Sequence, residues 1–248
     1  MKKTLLTVAL LFWAAMLFSQ NFLVEAGSGI GFYKMKNMKA LNTYVMKDMS
    51  LKAKLTDDFP SWVYFKGAVL YGIPDYTVGL ALSRHSTGSR ISAMDYSGIY
   101  HFDNIINAWM PGVFVRFLLT RIGSFELEGQ LETGVILSKV RTNEYLKLYD
   151  TVFLDNKFIF NSLNNYIEPV LKISYPVYNV KISCQISYMA QYGKQGFKVD
   201  QQGNTQVLNP GTNTALKPEW DGLRLNLSVL YALDNLFKTS KREKRGKG

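Results

Sequence analysis

Cysteine and histidine are almost absent from this chain, and their scarcity excludes several classes of site. Among 248 residues there is one cysteine, Cys184, and there are two histidines, His85 and His101. A single cysteine cannot form an intrachain disulfide or a thiolate metal cluster. Two histidines also do not suit a zinc site of the usual kind. We therefore expect neither a bound metal nor a cofactor.

The chain has little negative charge, but its positive excess lies mainly at the two ends. The formal net charge is +10. Lys2 and Lys3 supply two of these charges, and the segment from Lys238 to Gly248 carries six positive residues against Glu243. The remaining body carries about +3. That ordinary value gives no reason to expect a nucleic-acid partner.

The N-terminal apolar run is too short to be a typical membrane-spanning helix. It extends from Leu5 to Phe18, whereas a spanning helix needs roughly 18–20 apolar residues. Lys2 and Lys3 precede the run and the small residue Ser19 follows it. This order predicts a secretory signal peptide over residues 1–19, with cleavage before Gln20. An uncleaved anchor is the alternative.

Beyond that signal, apolar and polar residues alternate in eight segments. Successive side chains of a β-strand point to opposite faces, so alternation predicts strands with one apolar and one polar face. The clearest case is Leu223 to Leu233. The eight predicted strands are residues 22–34, 62–73, 77–84, 111–120, 125–137, 167–175, 180–188 and 223–233.

The connections between these strands alternate between short and long. Strands 2–3, 4–5 and 6–7 are joined by about four residues, as in tight hairpins. The other connections contain roughly 20–27 residues, which is long for a compact domain. Short turns at one end and long loops at the other are typical of bacterial transmembrane barrels. An even strand number places both chain ends on the short-turn side, which we expect to be periplasmic.

Charged residues on the polar face indicate which face is enclosed. A soluble lipocalin-like barrel would show the same alternation with its apolar face inward. However, the polar face carries acids and bases in equal number, as an enclosed interior requires because an unpaired buried charge is costly. The predicted lumen residues are Glu25, Lys66, Arg116, Glu126, Glu128, Glu132, Glu168, Lys172, Lys181 and Arg224.

Aromatic residues fall near both ends of the predicted strands. Membrane interfaces select such belts, separated by about one hydrocarbon thickness. At the short-turn ends lie Tyr71, Tyr76, Phe117, Phe125, Tyr175 and Tyr231. Near the opposite ends lie Trp62, Trp109, Tyr192 and Trp220.

Two short motifs add a family resemblance. Ser86-Thr87-Gly88-Ser89-Arg90, followed by Asp95-Tyr96-Ser97-Gly98, looks like a loop found in outer-membrane barrels. With its topology, the chain resembles the eight-stranded outer-membrane β-barrel family, including the OmpA/OmpX-like domain, over residues 22–237. Members usually end on an aromatic residue that the assembly machinery reads. Phe237 is the candidate, although eleven residues follow it.

The resemblance implies an all-β fold, an eight-stranded antiparallel up-and-down transmembrane β-barrel. We assign the barrel to residues 20–237 and a basic, disordered periplasmic tail to residues 238–248. The implied location is the outer membrane of a Gram-negative bacterium. The implied partners are outer-membrane lipids and lipopolysaccharide, the barrel-assembly machinery and an envelope protein bound through the extracellular loops.

An eight-stranded barrel is only wide enough to be filled by side chains. We therefore expect a plugged, charge-paired lumen. Glu126, Glu128 and Glu132 would then pair with basic residues (Arg116, Lys172 and Arg224), although a cation or proton path is the alternative interpretation of this ladder. The expected role is non-enzymatic and is exerted through the long loops, in envelope structure, adhesion or assembly.

Catalysis has one candidate group, His85 followed by Ser86 and Thr87. A lipid-modifying barrel enzyme would need a base within hydrogen-bond reach of its nucleophile. Neighbouring residues on a strand point to opposite faces, so His85 and Ser86 are poorly placed to form such a pair. A lipid-modifying enzyme and a narrow ion channel remain the alternative functions.

The first long loop, Lys36 to Asp58, has a helical pattern. Met38, Leu41, Val45 and Met49 recur at helical spacing, and Asn37 is a candidate N-cap. We expect a short amphipathic helix that covers the barrel mouth; the alternative is a helix that binds a partner.

Overall fold

The structure is a computed structural model that describes residues 22–48, 53–73, 75–193, 195–199, 206–211 and 213–232. The predicted signal (1–19), Phe237 and the basic tail (238–248) lie outside these residues, as do Met49 and Pro74. One helix, α1, spans Lys36–Asp48. The strands are β1 Phe22–Gly31, β2 Lys54–Asp58, β3 Trp62–Gly72, β4 Tyr76–Met94, β5 Gly98–Ile122, β6 Phe125–Leu148, β7 Thr151–Val177, β8 Val180–Tyr192, β9 Lys198–Val199, β10 Leu208–Asn209, β11 Thr214–Ala215 and β12 Gly222–Ala232.

Eight long strands pair antiparallel and close into a ring. Their order is β1, β3, β4, β5, β6, β7, β8 and β12, and β12 pairs back onto β1 with Glu25 opposite Leu230. Three short turns, at Asp75, Gly123 and Tyr178, join β3 to β4, β5 to β6 and β7 to β8. Gly123 adopts φ +61°, a conformation that glycine takes without steric cost. The predicted eight-stranded up-and-down barrel is confirmed.

The apolar side chains of the ring point outward. On β12, Leu227 is 63% exposed whereas Arg224 is 3% exposed. The same alternation continues through the other strands of the ring. A closed ring leaves no unpaired backbone edge in lipid, and an apolar outer wall with a charged interior is the arrangement that a bilayer requires. The fold is therefore a transmembrane β-barrel. None of the helices within the described residues is long and apolar enough to cross a membrane.

Four strands continue far beyond the ring, and here the predicted loop structure was wrong. The connections after the third and the fifth predicted strands were expected to be long loops. In the structure they are regular hairpins, formed by β4 with β5 and by β6 with β7. Their turns are only Asp95–Ser97 and Tyr149–Asp150. We call the extension of β4–β7 the tall sheet; it comprises residues 85–94, 98–108, 138–148 and 151–162.

The polar composition of these segments caused the error. Because both faces of the tall sheet carry polar side chains, the apolar alternation that marks a membrane strand disappears there, although backbone pairing continues. Ser86–Arg90, expected in a loop, lies within β4. Asp95–Gly98 does form the turn, in which Asp95 Oδ1 accepts hydrogen bonds from Ser97 and Gly98. The bonds from Ser97 lower the pKa of Asp95.

Helix α1 lies where the sequence predicts a helix, but its cap is different. Lys39 N donates to Met35 O at 2.9 Å, so the helix begins before Asn37. Asn37 N donates to the Glu219 carboxylate at 2.8 Å, and a carboxylate at a helix N-terminus is favourable. The predicted N-cap role of Asn37 is therefore wrong. Its side-chain oxygen instead accepts from Lys217 N at 3.3 Å.

The helix and the segment before β12 fill the space between the ring and the tall sheet. Met38 of α1 is buried, and Leu41 packs against the same cluster. This plug cluster contains Tyr33, Met35, Met38, Phe59, Ile106, Ala108, Met110, Ile136, Val140, Tyr166, Met189, Phe197, Leu216 and Trp220. The helix thus covers the mouth of the barrel, as expected from its apolar face.

Candidate functional site: the filled barrel lumen

Glu25 of β1 is the centre of an ionic network inside the ring. Its Oε2 accepts from Arg116 at 2.7 Å and from Lys172 at 2.8 Å. Its Oε1 accepts from Gln185 and Ser228, both at 2.7 Å. These five residues come from β1, β5, β7, β8 and β12. One carboxylate therefore links five of the eight strands.

A second group lies around Glu132 of β6. Lys66 of β3 donates to Glu132 Oε2 at 2.5 Å, and the hydroxyl of Tyr166 donates to Oε1 at 2.8 Å. Gln130 joins the two groups, because its Nε2 donates to Glu132 at 3.1 Å while its Oε1 accepts from Arg116 at 2.9 Å. The two carboxylates thus belong to one connected network.

The remaining charged residues form pairs above and below this network. Towards the plug, Arg224 Nη1 lies 3.1 Å from Glu168 Oε2, and Ser187 donates to the same carboxylate at 2.5 Å. Towards the short turns, Lys181 donates to Glu126 and lies 3.8 Å from Glu128. All ten charged residues assigned to the lumen lie on the inner face and have ionic or hydrogen-bonded partners.

The predicted pairing of the acidic ladder differs from the observed one. Arg116, Lys172 and Arg224 were expected to neutralise Glu126, Glu128 and Glu132. Arg116 and Lys172 instead bind Glu25, and Arg224 binds Glu168. Sequence alternation identifies the face of a residue but not its height in the barrel, because the stagger between tilted strands sets which charges meet.

Above the ions lies an aromatic layer that includes His85. His85 is buried, with Nδ1 2.9 Å from the Tyr33 hydroxyl and Nε2 2.9 Å from Ser83 Oγ. Its ring stacks on Tyr64 with centroids 4.5 Å apart. Ser86, the next residue along β4, points to the opposite face and makes no described hydrogen bond with the ring. His85 is thus held within the barrel and away from the lipid.

Trp220 was assigned to a membrane-interface belt, and that assignment is wrong. Its side chain is 0% exposed. The indole Nε1 donates to Ser138 Oγ at 2.9 Å, and the ring meets Tyr33 edge-on with centroids 4.9 Å apart. Residues 216–221 enter the barrel mouth instead of following a strand, and this bend places Trp220 in the plug. The other nine belt residues retain at least partial exposure: Trp62, Tyr71, Tyr76, Trp109, Phe117, Phe125, Tyr175, Tyr192 and Tyr231.

Small residues make room for the aromatic layer. At Gly29, a Cβ would lie 2.8 Å from the Tyr64 ring, and at Gly134 it would lie 2.9 Å from the Tyr166 ring. Tyr33, Tyr64 and Tyr166 were not predicted as lumen residues. The sequence alternation could have placed two of them in the lumen, because Tyr64 shares a strand face with Lys66 and Tyr166 shares one with Glu168.

The space at the centre of the ionic network is small. A cavity bounded by Glu25, Lys66 and Arg116 measures about 10 Å³, which is room for at most one water molecule. Within the described residues, no group of three or more His, Cys, Asp or Glu side chains is arranged to hold a metal ion.

Comparison with solved structures finds barrels of the outer membrane. Neisserial surface protein A is 11% identical, with a TM-score of 0.37, over 85% of this chain and 96% of that one. The outer membrane protease OmpT from Escherichia coli is 12% identical, with a TM-score of 0.37, over 85% and 91%. Ail, the attachment invasion locus protein of Yersinia pestis, is 13% identical, with a TM-score of 0.33, over 85% and 95%. No family model and no curated protein matches the chain. Likeness at this level carries no functional argument, and the barrel is established by its own strand pairing.

The network predicts that removing a deeply buried carboxylate destabilises the barrel more than removing a carboxylate near solvent. Replacing Glu25→Ala leaves Arg116 and Lys172 buried without their carboxylate, a loss we expect to cost about 3–5 kcal/mol of unfolding free energy. Glu126→Ala is the matched control, because its partners Arg121 and Lys181 reach solvent and the expected cost is about 1 kcal/mol or less. Urea unfolding in lipid vesicles, followed by tryptophan fluorescence, measures both. Equal losses would contradict the central position of Glu25.

Proposed function

We propose that the chain is a non-enzymatic integral protein of a Gram-negative outer membrane. In this proposal the barrel is a closed anchor, the short turns and both termini face the periplasm, and the tall sheet is displayed outside the cell. The observation that carries the proposal is the combination of an apolar wall, an ion-paired lumen and a plug above it. Such a barrel holds a surface in place and offers no path through itself.

The surface that it holds is the tip of the tall sheet. Met94 and Tyr96 lie at the β4–β5 turn, and Tyr149, Val152 and Phe153 lie at the β6–β7 turn. All five side chains are exposed, and Tyr96 is 96% exposed. Exposed apolar side chains clustered in this way mark interaction surfaces. This supports a role in adhesion, envelope structure or assembly with another envelope protein.

The orientation is tested by cysteine labelling. In a Cys184→Ser background, we expect Tyr96→Cys to react with a membrane-impermeant maleimide on intact cells, because that position would be extracellular. Asp75→Cys, in the turn between β3 and β4, should react only after the outer membrane is permeabilised. Immediate labelling of Asp75→Cys together with protection of Tyr96→Cys would reverse the proposed orientation. Labelling of neither or both in intact cells would also contradict it.

The closed lumen is tested by ion flux. Vesicles that contain the purified protein should release trapped K⁺ no faster than protein-free vesicles, because long paired side chains fill the bore. Protein content is checked on gels of the floated vesicles, so that silence cannot result from failed incorporation. A cation-selective flux that Glu132→Gln abolishes would replace this proposal with the narrow-channel alternative.

The non-enzymatic assignment is compatible with the position of His85. Its ring is enclosed by Tyr33, Tyr64 and Trp220, whereas a lipid substrate would approach from the outer wall. If His85→Gln changed the composition of outer-membrane lipids while leaving the amount of folded barrel unchanged, the lipid-modifying alternative would be favoured instead.

A further inference from the structure

The outer wall of the barrel is interrupted on one side, between β2 and β3. Pairing of β3 with β4 ends at Phe65 opposite Arg84, and pairing of β2 with β4 begins at Asp58 opposite Ser89. Between them the chain turns inward. Phe59 adopts φ +50° and is buried in the plug cluster, and Pro60 cannot donate a ladder hydrogen bond.

This interruption leaves a notch on the outer surface. The notch has a volume of about 370 Å³. Trp62, which is exposed, forms one side of the notch. Gly88 of β4 lies at its floor, where it has no side chain to fill the space. Hydrogen-bonding side chains border the space: Asp57, Ser86, Arg90 and Asp103. An exposed tryptophan beside charged and hydroxyl groups suits a sugar ring, whose faces are apolar and whose edge is polar.

Directly below the notch, Arg84 lies at the upper border of the apolar wall. Leu80 and Leu82 precede it on the same outward face of β4. Its guanidinium lies 5.5 Å from the centre of the Trp109 ring. No carboxylate among the described residues pairs with it, whereas Arg90 is bound by Asp103 through two hydrogen bonds of 2.7 Å. Arg84 is therefore available to bind an anion, and arginine suits phosphate.

An apolar furrow continues down the wall from Arg84. It measures about 850 Å³ and reaches Arg84 and Trp109 at its upper end. Ala26 and Gly67 face each other on β1 and β3 and form the shallow floor. At Gly67, a Cβ would meet nothing within 4 Å. Phe65 and Leu80 form the sides.

The furrow, Arg84 and the notch thus follow one another along the outer wall. Their order matches that of the acyl chain, the phosphate and the sugar of a phosphorylated glycolipid. We propose that this side of the barrel binds one phosphorylated glycolipid of the outer leaflet. An acyl chain lies in the furrow, a phosphate contacts Arg84, and the sugar lies against Trp62 in the notch. This inference rests on the proposed outer-membrane orientation, which places the long-strand end at the outer leaflet.

The site is tested by native mass spectrometry of the detergent-solubilised full-length protein, titrated with lipid A as the phosphorylated glycolipid. We expect one saturable site. Arg84→Gln should weaken it about tenfold, as expected for loss of one charge-assisted contact. Arg141→Gln is the matched control, because Arg141 is also an outward-facing cation above the apolar wall, on β6. Equal weakening by both would reduce the site to general charge attraction and overturn the proposal.

The furrow has its own variant. Gly67→Leu fills open space on a strand and should fold normally, while it excludes the acyl chain and weakens lipid A binding. Cys184→Leu, on the lipid-facing side of β8 and outside the furrow, should leave binding unchanged. Unchanged binding in Gly67→Leu would overturn the furrow as an acyl site.

Two further ligands identify what the site recognises. Soluble glucosamine 1-phosphate should compete poorly, because it has no acyl chain; competition equal to that of lipid A would show that the site binds a free headgroup. Phosphatidylglycerol should bind more weakly than lipid A, because it lacks the sugar; equal affinity would overturn the glycolipid assignment. These measurements use isolated protein, so they fail or succeed independently of the cysteine labelling that tests orientation.

Discussion

The carboxylate of Glu25 is the interaction on which the rest of the barrel depends. Its four partners lie on strands that are distant from β1 in sequence, and without it Arg116 and Lys172 would each be a buried charged group without a carboxylate partner. Such a group is costly in a lumen closed to water. The requirement for pairing therefore fixes the relative heights of β1, β5, β7, β8 and β12. The lipid-facing wall contributes little to this specificity, because one apolar side chain fits the hydrocarbon about as well as another.

The alternation of residues was sufficient to predict the ring, the side on which each charge lies and the short-turn end of the barrel. It was not sufficient to predict which charges meet, since Arg116 and Lys172 were matched with the wrong carboxylates. Strand stagger is a property of the closed sheet and leaves no mark within any single strand. Trp220 was misplaced for a related reason: a tryptophan close to a strand end looks the same in sequence whether the chain follows the wall or bends into the mouth.

The tall sheet was the largest departure from expectation. Its segments were read as loops because their exposed and inward faces both carry polar residues, as on β4 from Ser86 to Ser92. In water such a sheet needs no apolar outer face, so the periodicity that identifies membrane strands ends where the membrane ends. Its inner face still packs on α1 and on the segment before β12, and this packing joins the tall sheet to the plug above the ionic lumen.

A tip built as a pleated sheet, and not as loops, constrains how this protein can vary. Exchanging Tyr96, Tyr149 or Phe153 alters the exposed surface of the tip without disturbing the hydrogen-bonded ladder beneath. Inserting one residue within β6 or β7 would invert every side chain between that point and the turn, and would turn core residues outward. Substitutions are therefore tolerated at the tip. Changes in length are tolerated at the turns, or within the strands when two residues are inserted or removed together.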